Sequence, residues 1–486
     1  MNFFFSLLHI TDNITVTIIL IAAYAVSSVG AAIHILLYKQ DLKTSVGWIA
    51  LVFLSPFIGV LLYVFLGINR VKRKANKLRK KRAVLGRITL ETKQELLKDL
   101  PANYKEFLKF ERNVYDQAFT YGNNITPLLN GTQAYPEMIQ AVRKAKKEVI
   151  IESYIFDVDS ETDKFLRAFR VAIKNGAAVK VLVDGFGTLR FLRRSIEKKL
   201  KSIKGLEYSV FLPPLIPVSF PFVHLRNHRK LMVIDGHTAF FGGMNLSKDN
   251  VEINNLKTGV LDLTFKVEGP VVDQITQVFE DDWEYTTGKK MLGCSKFARL
   301  KEKGKLFARV VPDGPDENNG RIETLVHARI NLAQKHILIV TPYFLPENNL
   351  LTALELASMR GVKVEIILPE LNNHMVMRWA EEPNFARLIK KGIRIYRTPR
   401  PFDHSKLFVI DSEWSFIGSA NWDVRSFKLL FEANMEVIGK KFAAQLIKIA
   451  DKKKKPAKRA TLSESTNLPI LKRLRNNLMR LMTPYY

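Results

Sequence analysis

Two long apolar runs open the chain. Ile14 to Tyr38 is 25 residues without Asp, Glu, Lys or Arg, and Ser45 to Gly67 is 23 more. At ~1.5 Å per residue each spans roughly 35 Å as a helix, enough to cross a ~30 Å hydrocarbon core. Only KQDLKT separates them, so the pattern predicts a membrane hairpin with spans 14–38 and 45–67. His34 and Pro56 fall inside the spans, where a helix-packing histidine and a tolerated kink account for them. Residues 1–13 carry no Lys or Arg. With the length of the first run, this predicts a retained anchor rather than a cleaved signal peptide.

From about Tyr121 the pattern alternates between helical spacing and short buried strands. Ala134 to Ala145 reads as a helix, Val149 to Phe156 as a strand, Lys164 to Lys174 as a helix and Val179 to Val183 as a strand. The order then recurs. AQKHILIVTPYF (333–344) echoes AKKEVIIESYIF (145–156), and GVKVEIILP (361–369) echoes GAAVKVLVD (176–184). Such a duplication predicts an α/β fold of two tandem lobes, each a mixed sheet flanked by helices. The expected divisions are a basic and charged linker over 68–115, lobes over 116–300 and 301–440, and a basic amphipathic tail over 441–486. In the tail, Lys452 to Arg459 holds six basic residues, and Leu471, Leu474, Leu478 and Leu481 share one helical face. That face predicts a helix that either lies in a membrane interface or docks on the body.

The duplication carries candidate chemistry. NHRKLMVIDGHTAFFGGMN (227–245) and DHSKLFVIDSEWSFIGSAN (403–421) share His, Lys, Asp and Asn in one order. Alternation along a strand puts His228 and Lys230 on one face and Arg229 on the other. A near-neutral imidazole attacks phosphorus or moves a proton. An adjacent ammonium stabilises charge on a phosphate oxygen. Asn245 adds a side-chain donor, with Gly242 and Gly243 letting the backbone approach. His404, Lys406, Asn421, Gly418 and Ser419 repeat the set. Paired, the two copies put one His on each side of a phosphorus, an acid–base division worth roughly 10² to 10⁴ in rate. Two Lys and two Asn supply the charge and donors, so the chemistry calls for no metal and no other cofactor. Asp235 and Asp411 end the strands, where local backbone or turn groups are the expected partners. An imidazole in this role wants a carboxylate to fix its tautomer. Downstream of each motif lies one in similar context, Asp262 after His228 and Glu432 after His404. His224 and His228 form a HxxxH, but the strand context and the missing acidic base speak against zinc. His237, His327, His336 and His374 read as ordinary surface or core residues.

Charge narrows the setting. A formal net charge of +28 at pH 7 calls for an anionic partner, either nucleic acid or an anionic membrane. Arg70 to Arg82 has nine basic residues and no acidic one. Directly after an apolar run, such a stretch favours lipid headgroups and places the body on the cytoplasmic side. Cys294 is the one cysteine, so no intrachain disulfide forms.

Both His stretches resemble the HKD motif, His-x-Lys-x4-Asp, of the phospholipase D superfamily. Within it the chain is similar to the bacterial cardiolipin synthases, from the hairpin to the C-terminus. The resemblance rests on GWIALVFLSPFIGVLLYVFLG (47–67), NHRKLMVIDG, FGGMNLS, EGP (268–270), DW (282–283), TPYFLP (341–346), HSKLFVID, GSANWDVRSF (418–427) and FE (431–432). The family commonly has Asn where this chain has Leu430, and Ala where it has Ser405. The resemblance implies two tandem phospholipase D-like lobes and a ping-pong phosphatidyl transfer between two phosphatidylglycerols, without nucleic acid as a partner. It counts His228, Lys230, Asp235, His404, Lys406 and Asp411 as catalytic. His228 is the implied nucleophile and His404 the acid and base. Lys230, Lys406, Asn245, Asn421 and Ser419 serve the phosphate, and Asp262 and Glu432 orient the imidazoles.

Overall fold

A computed structural model describes residues 14–39, 41–55, 57–67, 117–187, 193–213, 225–291, 301–315 and 319–483. The basic run at 70–82, the linker at 84–113, Pro56, His224 and Cys294 lie outside the described residues. The chain divides into two compact units, one of residues 1–74 with 220–222 and one of the remainder.

In the first unit, α1 (Ile14–Tyr38) is long and apolar enough to cross a membrane. The second apolar run differs from expectation. It starts early, as α2 (Leu42–Leu54), capped by Asp41, whose carboxylate accepts from the Thr44 N–H at 2.7 Å. It is then interrupted and resumes as α3 (Ile58–Leu62) and a π turn over Tyr63–Gly67. The interruption surrounds position 56, where the sequence has a proline that cannot donate a helical hydrogen bond. Ala31, Ile35, Val52 and Tyr63 form a small core between these helices, and His34 Nδ1 meets the Tyr63 hydroxyl at 2.6 Å. Apolar side chains such as Ile18, Ile21, Leu36 and Leu61 point outward instead, as an apolar solvent allows.

The second unit is built twice. The first lobe holds β1 (Thr120–Leu129), α4 (Asn130–Lys144), β2 (Glu148–Ser153), α5 (Ser160–Lys174), β3 (Ala178–Asp184), α6 (Arg193–Lys201), β4 (Leu206–Phe211), β5 (Leu231–Ile234), β6 (Thr238–Gly242), β7 (Leu263–Glu268) and α7 (Val271–Thr287). The second repeats the order as β8 (Leu306–Asp313), α8 (Arg321–Leu332), β9 (His336–Val340), α9 (Asn348–Met359), β10 (Lys363–Pro369), α10 (Met375–Lys390), β11 (Arg394–Thr398), β12 (Leu407–Ile410), β13 (Trp414–Gly418), β14 (Leu430–Ile438) and α11 (Lys440–Lys454). The strands run β1-β7-β6-β5-β2-β3-β4 in the first lobe and β8-β14-β13-β12-β9-β10-β11 in the second. In both, the β2–β3–β4 type pairs are parallel and the others antiparallel. β1 and β8 pair antiparallel, so the two sheets form one continuous sheet. Ile151, Phe165, Val181, Met232 and Phe240 belong to the core of one lobe, and Ile339, Leu354, Ile366, Phe408 and Phe416 to that of the other.

The tail is shorter than the sequence reading placed it. Residues 441–454, assigned there to the tail, belong to α11, the counterpart of α7. Phe442, Ala443, Leu446, Ile449 and Ala450 recur at helical spacing and are buried, so this segment covers the second sheet. Lys458–Arg459 adds a short antiparallel strand beside β11. The last helix among the described residues, α12 (Ile470–Leu481), packs on α10.

Candidate active site

Both motif histidines stand just ahead of a buried strand, His228 before β5 and His404 before β12. Main-chain pairing carries each across to the other lobe. The His228 N–H donates to Phe431 O at 2.8 Å and the His404 N–H to Leu261 O at 2.7 Å. Beside them, Arg226–Asn227 pairs with Leu430–Phe431, and Phe402–Asp403 with Val260–Leu261, both parallel. Each histidine is thereby laid against the strand that bears the other lobe's carboxylate.

Counting downstream from each motif associates Asp262 with His228 and Glu432 with His404. The structure pairs them the other way. His228 Nδ1 lies 2.9 Å from Glu432 Oε1, and His404 Nδ1 lies 2.7 Å from Asp262 Oδ2. The cross-lobe strand pairing is the reason. A carboxylate at Nδ1 makes that nitrogen the donor and leaves Nε2 as the reactive atom. Both imidazoles line one cavity of about 280 Å³, together with Asn245, Asn421 and Asp262. Gly243 lies at the junction: a Cβ there would stand 3.0 Å from Asp262 Oδ1 and 3.2 Å from the Lys406 side chain.

Other predicted residues take supporting places. Asn245 Oδ1 accepts from the Ile155 N–H at 3.2 Å, which turns its amide N–H₂ to the cavity. Ser419 does not line the cavity; its hydroxyl donates to Glu432 and so holds the carboxylate that holds His228. Asp235 and Asp411 lie at the far ends of β5 and β12 from the histidines. Asp235 accepts from the N–H groups of Lys146, Lys147 and Glu148, and Asp411 from those of Gln334, Lys335 and His336. Their partners are therefore the helix-to-strand turns of α4–β2 and α8–β9, distant in sequence rather than local. Both carboxylates thus hold these turns, and neither lines the cavity. Each sits at φ 52°, a left-handed conformation that Asp tolerates.

Burial sets the electrostatics. Desolvation, reinforced by the Lys230 and Lys406 ammoniums, lowers His228 to about 3 and His404 to about 4, so both imidazoles are neutral near pH 7. Desolvation likewise lowers Lys230 to about 7 and Lys406 to about 8, against the pull of Glu432 and Asp262. Burial alone would raise both carboxylates. The ammoniums and imidazoles outweigh it and hold Asp262 and Glu432 below their ordinary range.

A family model described as "Cardiolipin synthase, PLD-like domain" matches residues 138–283 and 326–453. A second, "Phospholipase_D-nuclease N-terminal", matches residues 26–67. The first match covers both lobes and both histidines. The chain belongs to the phospholipase D-like cardiolipin synthase family. It is 30% identical to the major cardiolipin synthase of Bacillus subtilis (strain 168), over 93% of this chain and 96% of that one. It is 29% identical to a cardiolipin synthase of Clostridium perfringens (strain SM101 / Type A), over 92% and 95%. The crystal structure of a phosphatidylserine synthase of Haemophilus influenzae Rd KW20 shares the fold, with a TM-score of 0.60 at 17% identity, over 78% of this chain and 97% of that one.

Several side chains of this cardiolipin synthase-type cavity went unread in the sequence, among them His374, read there as an ordinary surface or core residue. The Tyr154 ring meets His228 edge-on with centroids 4.9 Å apart, and Lys230 Nζ lies 5.1 Å from its centre. Asp423 lines the cavity and is raised by burial to about 6. Arg425 is the only Lys or Arg among the described residues lining it. Tyr154 follows β2, and Asp423 and Arg425 follow Asn421, within the stretches that carry the duplication and the resemblance. Position after the motif, not residue type, was the available signal.

Proposed function

We propose that the chain is a cardiolipin synthase that transfers a phosphatidyl group from one phosphatidylglycerol to another, anchored in the membrane by its apolar hairpin with the body on the cytoplasmic side. The observation that carries this reading is the crossed pair: two neutral imidazoles on one cavity, each held by the opposite lobe's carboxylate and flanked by an ammonium. His228 Nε2 attacks the donor phosphorus, forming a P–N bond as the P–O bond to the headgroup glycerol breaks. Asn245 and Asn421 on the cavity wall bind the non-bridging oxygens, and the ammoniums of Lys230 and Lys406, which do not themselves line the cavity, stabilise the negative charge that builds there. The leaving oxygen takes its proton from His404. Lys406 Nζ lies 3.0 Å from Nδ1 and 3.1 Å from Nε2 of His404, near enough to pass a proton to the ring, so the acid needs none beyond the resting complement. A bound phosphodiester also offsets the two ammoniums that depress the imidazole. In the second half, the hydroxyl of another phosphatidylglycerol gives its proton to His404 and attacks phosphorus. The P–N bond breaks and cardiolipin leaves. Arg425, on the cavity wall, binds the acceptor's own phosphate in this reading.

The test is product analysis in bilayers of phosphatidylglycerol with purified protein. Cardiolipin and glycerol in equal amounts are expected. Phosphatidic acid as the sole lipid product would replace this reading with hydrolysis.

A further inference from the structure

The terminal helix α12 meets the body by its polar side. Asn476, 1% exposed, donates to Glu382 of α10. The Arg475 guanidinium stacks 4.1 Å from the Trp379 ring, and Arg480 approaches Asn384 at 3.5 Å. On the other side, Leu471 is 76% exposed, Leu474 60%, Leu478 57% and Leu481 73%. A helix with only the body to cover it would turn that stripe inward. The helix also carries Lys472, Arg473, Arg475 and Arg480 and no acidic residue. An apolar face with a basic flank is the composition of a helix lying in a bilayer interface.

Its position ties this face to the site. Met479 and Phe402 both pack against the buried cluster that includes Tyr343 and Met377, and Tyr343, Met377 and Phe402 line the cavity. We propose that α12 is a membrane-interface helix. Its leucines lie among the acyl chains of an anionic leaflet, and it presents the Tyr343–Phe402 wall of the cavity to the surface from which lipid substrate enters. A second copy of the chain would also cover leucines, but four positive charges on one twelve-residue helix repel their own kind and are drawn to anionic headgroups. The part concerning substrate entry rests on the lipid reading above.

The full chain with Cys294→Ser and Leu474→Cys, labelled with an environment-sensitive fluorophore and reconstituted in phosphatidylglycerol bilayers, tests the placement. Blue-shifted emission quenched by brominated acyl chains is expected. Water-like emission, or quenching only by a second labelled copy, overturns the proposal. A second measurement uses the triple variant Leu471→Asp, Leu474→Asp, Leu478→Asp, at positions that fill no part of the core. Turnover of long-chain lipid in bilayers should fall about tenfold, with short-chain lipid in micelles turned over as by the parent. Unchanged turnover in bilayers overturns the role at the site. If the parent makes no cardiolipin in either system, the reaction reading fails, and the fluorophore still reports where α12 lies.

Discussion

The two half-sites share one plan at the imidazoles and diverge beneath them. Under His228, Arg229 pairs with Asp282 of α7 and donates from Nε to Glu432 O at 3.0 Å, and Asn227 reaches both Asp282 and Glu152. Glu152 is raised well above the ordinary carboxylate range by burial and by Asp282. Under His404 the polarity inverts. Lys453 of α11 donates to Asp403 at 2.7 Å and to Ser405 Oγ at 3.1 Å. An acid on one helix answers a base on its counterpart. The ammoniums differ too. Lys230 Nζ donates to the His228 main-chain oxygen, whereas Lys406 also reaches the ring of its own histidine. Duplication thus preserved the orientation of two imidazoles and left their supports free to specialise. Under the roles proposed above, this difference suits His228 as the nucleophile and His404 as the acid and base.

The largest effects should come from the histidines. His228→Ala and His404→Ala are each expected to lower cardiolipin formation by roughly 10³-fold or more. They should differ in what accumulates. With a donor lipid whose nitrophenol headgroup leaves without a proton, and after quenching in alkaline denaturant, which spares a P–N bond, His404→Ala retains lipid phosphate on the protein and His228→Ala does not. Label mapped to His404 would reverse the assignment of roles.

The carboxylates come next, and here the crossing itself is at stake. Glu432→Gln and Asp262→Asn should each cost roughly 10²-fold through loss of tautomer control. A donor lipid with a nitrophenol headgroup needs no proton on departure. It should restore the burst of phosphoenzyme in Asp262→Asn, whose damage falls on His404, and not in Glu432→Gln, whose damage falls on His228. The opposite pattern would mean that each carboxylate serves the histidine of its own lobe.

The ammoniums set the pH response. A lysine lowered by burial loses its charge at a lower pH than usual. With Lys230 at about 7 and Lys406 at about 8, kcat/KM should decline above about pH 7 and more steeply above about pH 8, while the neutral imidazoles give no acid limb between pH 5 and 7. Bound phosphate favours the charged lysines, so the limb in kcat should lie at higher pH. A profile of kcat/KM that stays level to pH 10 would separate the lysines from phosphate binding.

Much of this site was legible because the repeat is written in residue types. His228, Lys230 and Asn245 and their second copies show in the sequence, and the same spacing gave the two lobes. The crossing did not show, because it depends on which strand lies beside Arg226 and Phe402, and no period along one chain encodes that. Asp235 and Asp411 were legible as strand ends but not as anchors, because their partners lie on turns some ninety and eighty residues earlier. The α11 segment was hidden by its lysines, whose charged ends mask the buried stripe of Phe442, Leu446 and Ile449. The anchors give a matched pair of tests. Asp235→Ala and Asp411→Ala each strip three N–H groups of their acceptor and should each cost ~1–3 kcal/mol. Thermal unfolding measures that loss, with turnover per folded molecule nearly unchanged. A collapse in turnover without a fall in Tm would return the aspartates to the catalytic set.

The smallest effect is expected at Leu430, where the family commonly has Asn. Leu430 pairs with Arg226 beside the first motif, and its counterpart is Val260, which pairs with Phe402 beside the second. Each stands two residues before the carboxylate that crosses to the other lobe, and both line the cavity. Val260 already serves its half-site with no side-chain hydrogen bond, so the wall at this position needs an apolar filler and a paired main chain, and Leu430 provides both. Leu430→Asn should therefore change turnover by less than about threefold, because the matching wall position at Val260 works with an apolar side chain. A gain well beyond that would mean that the amide grips the phosphate or acceptor at this half-site alone, and the two walls would then differ in kind.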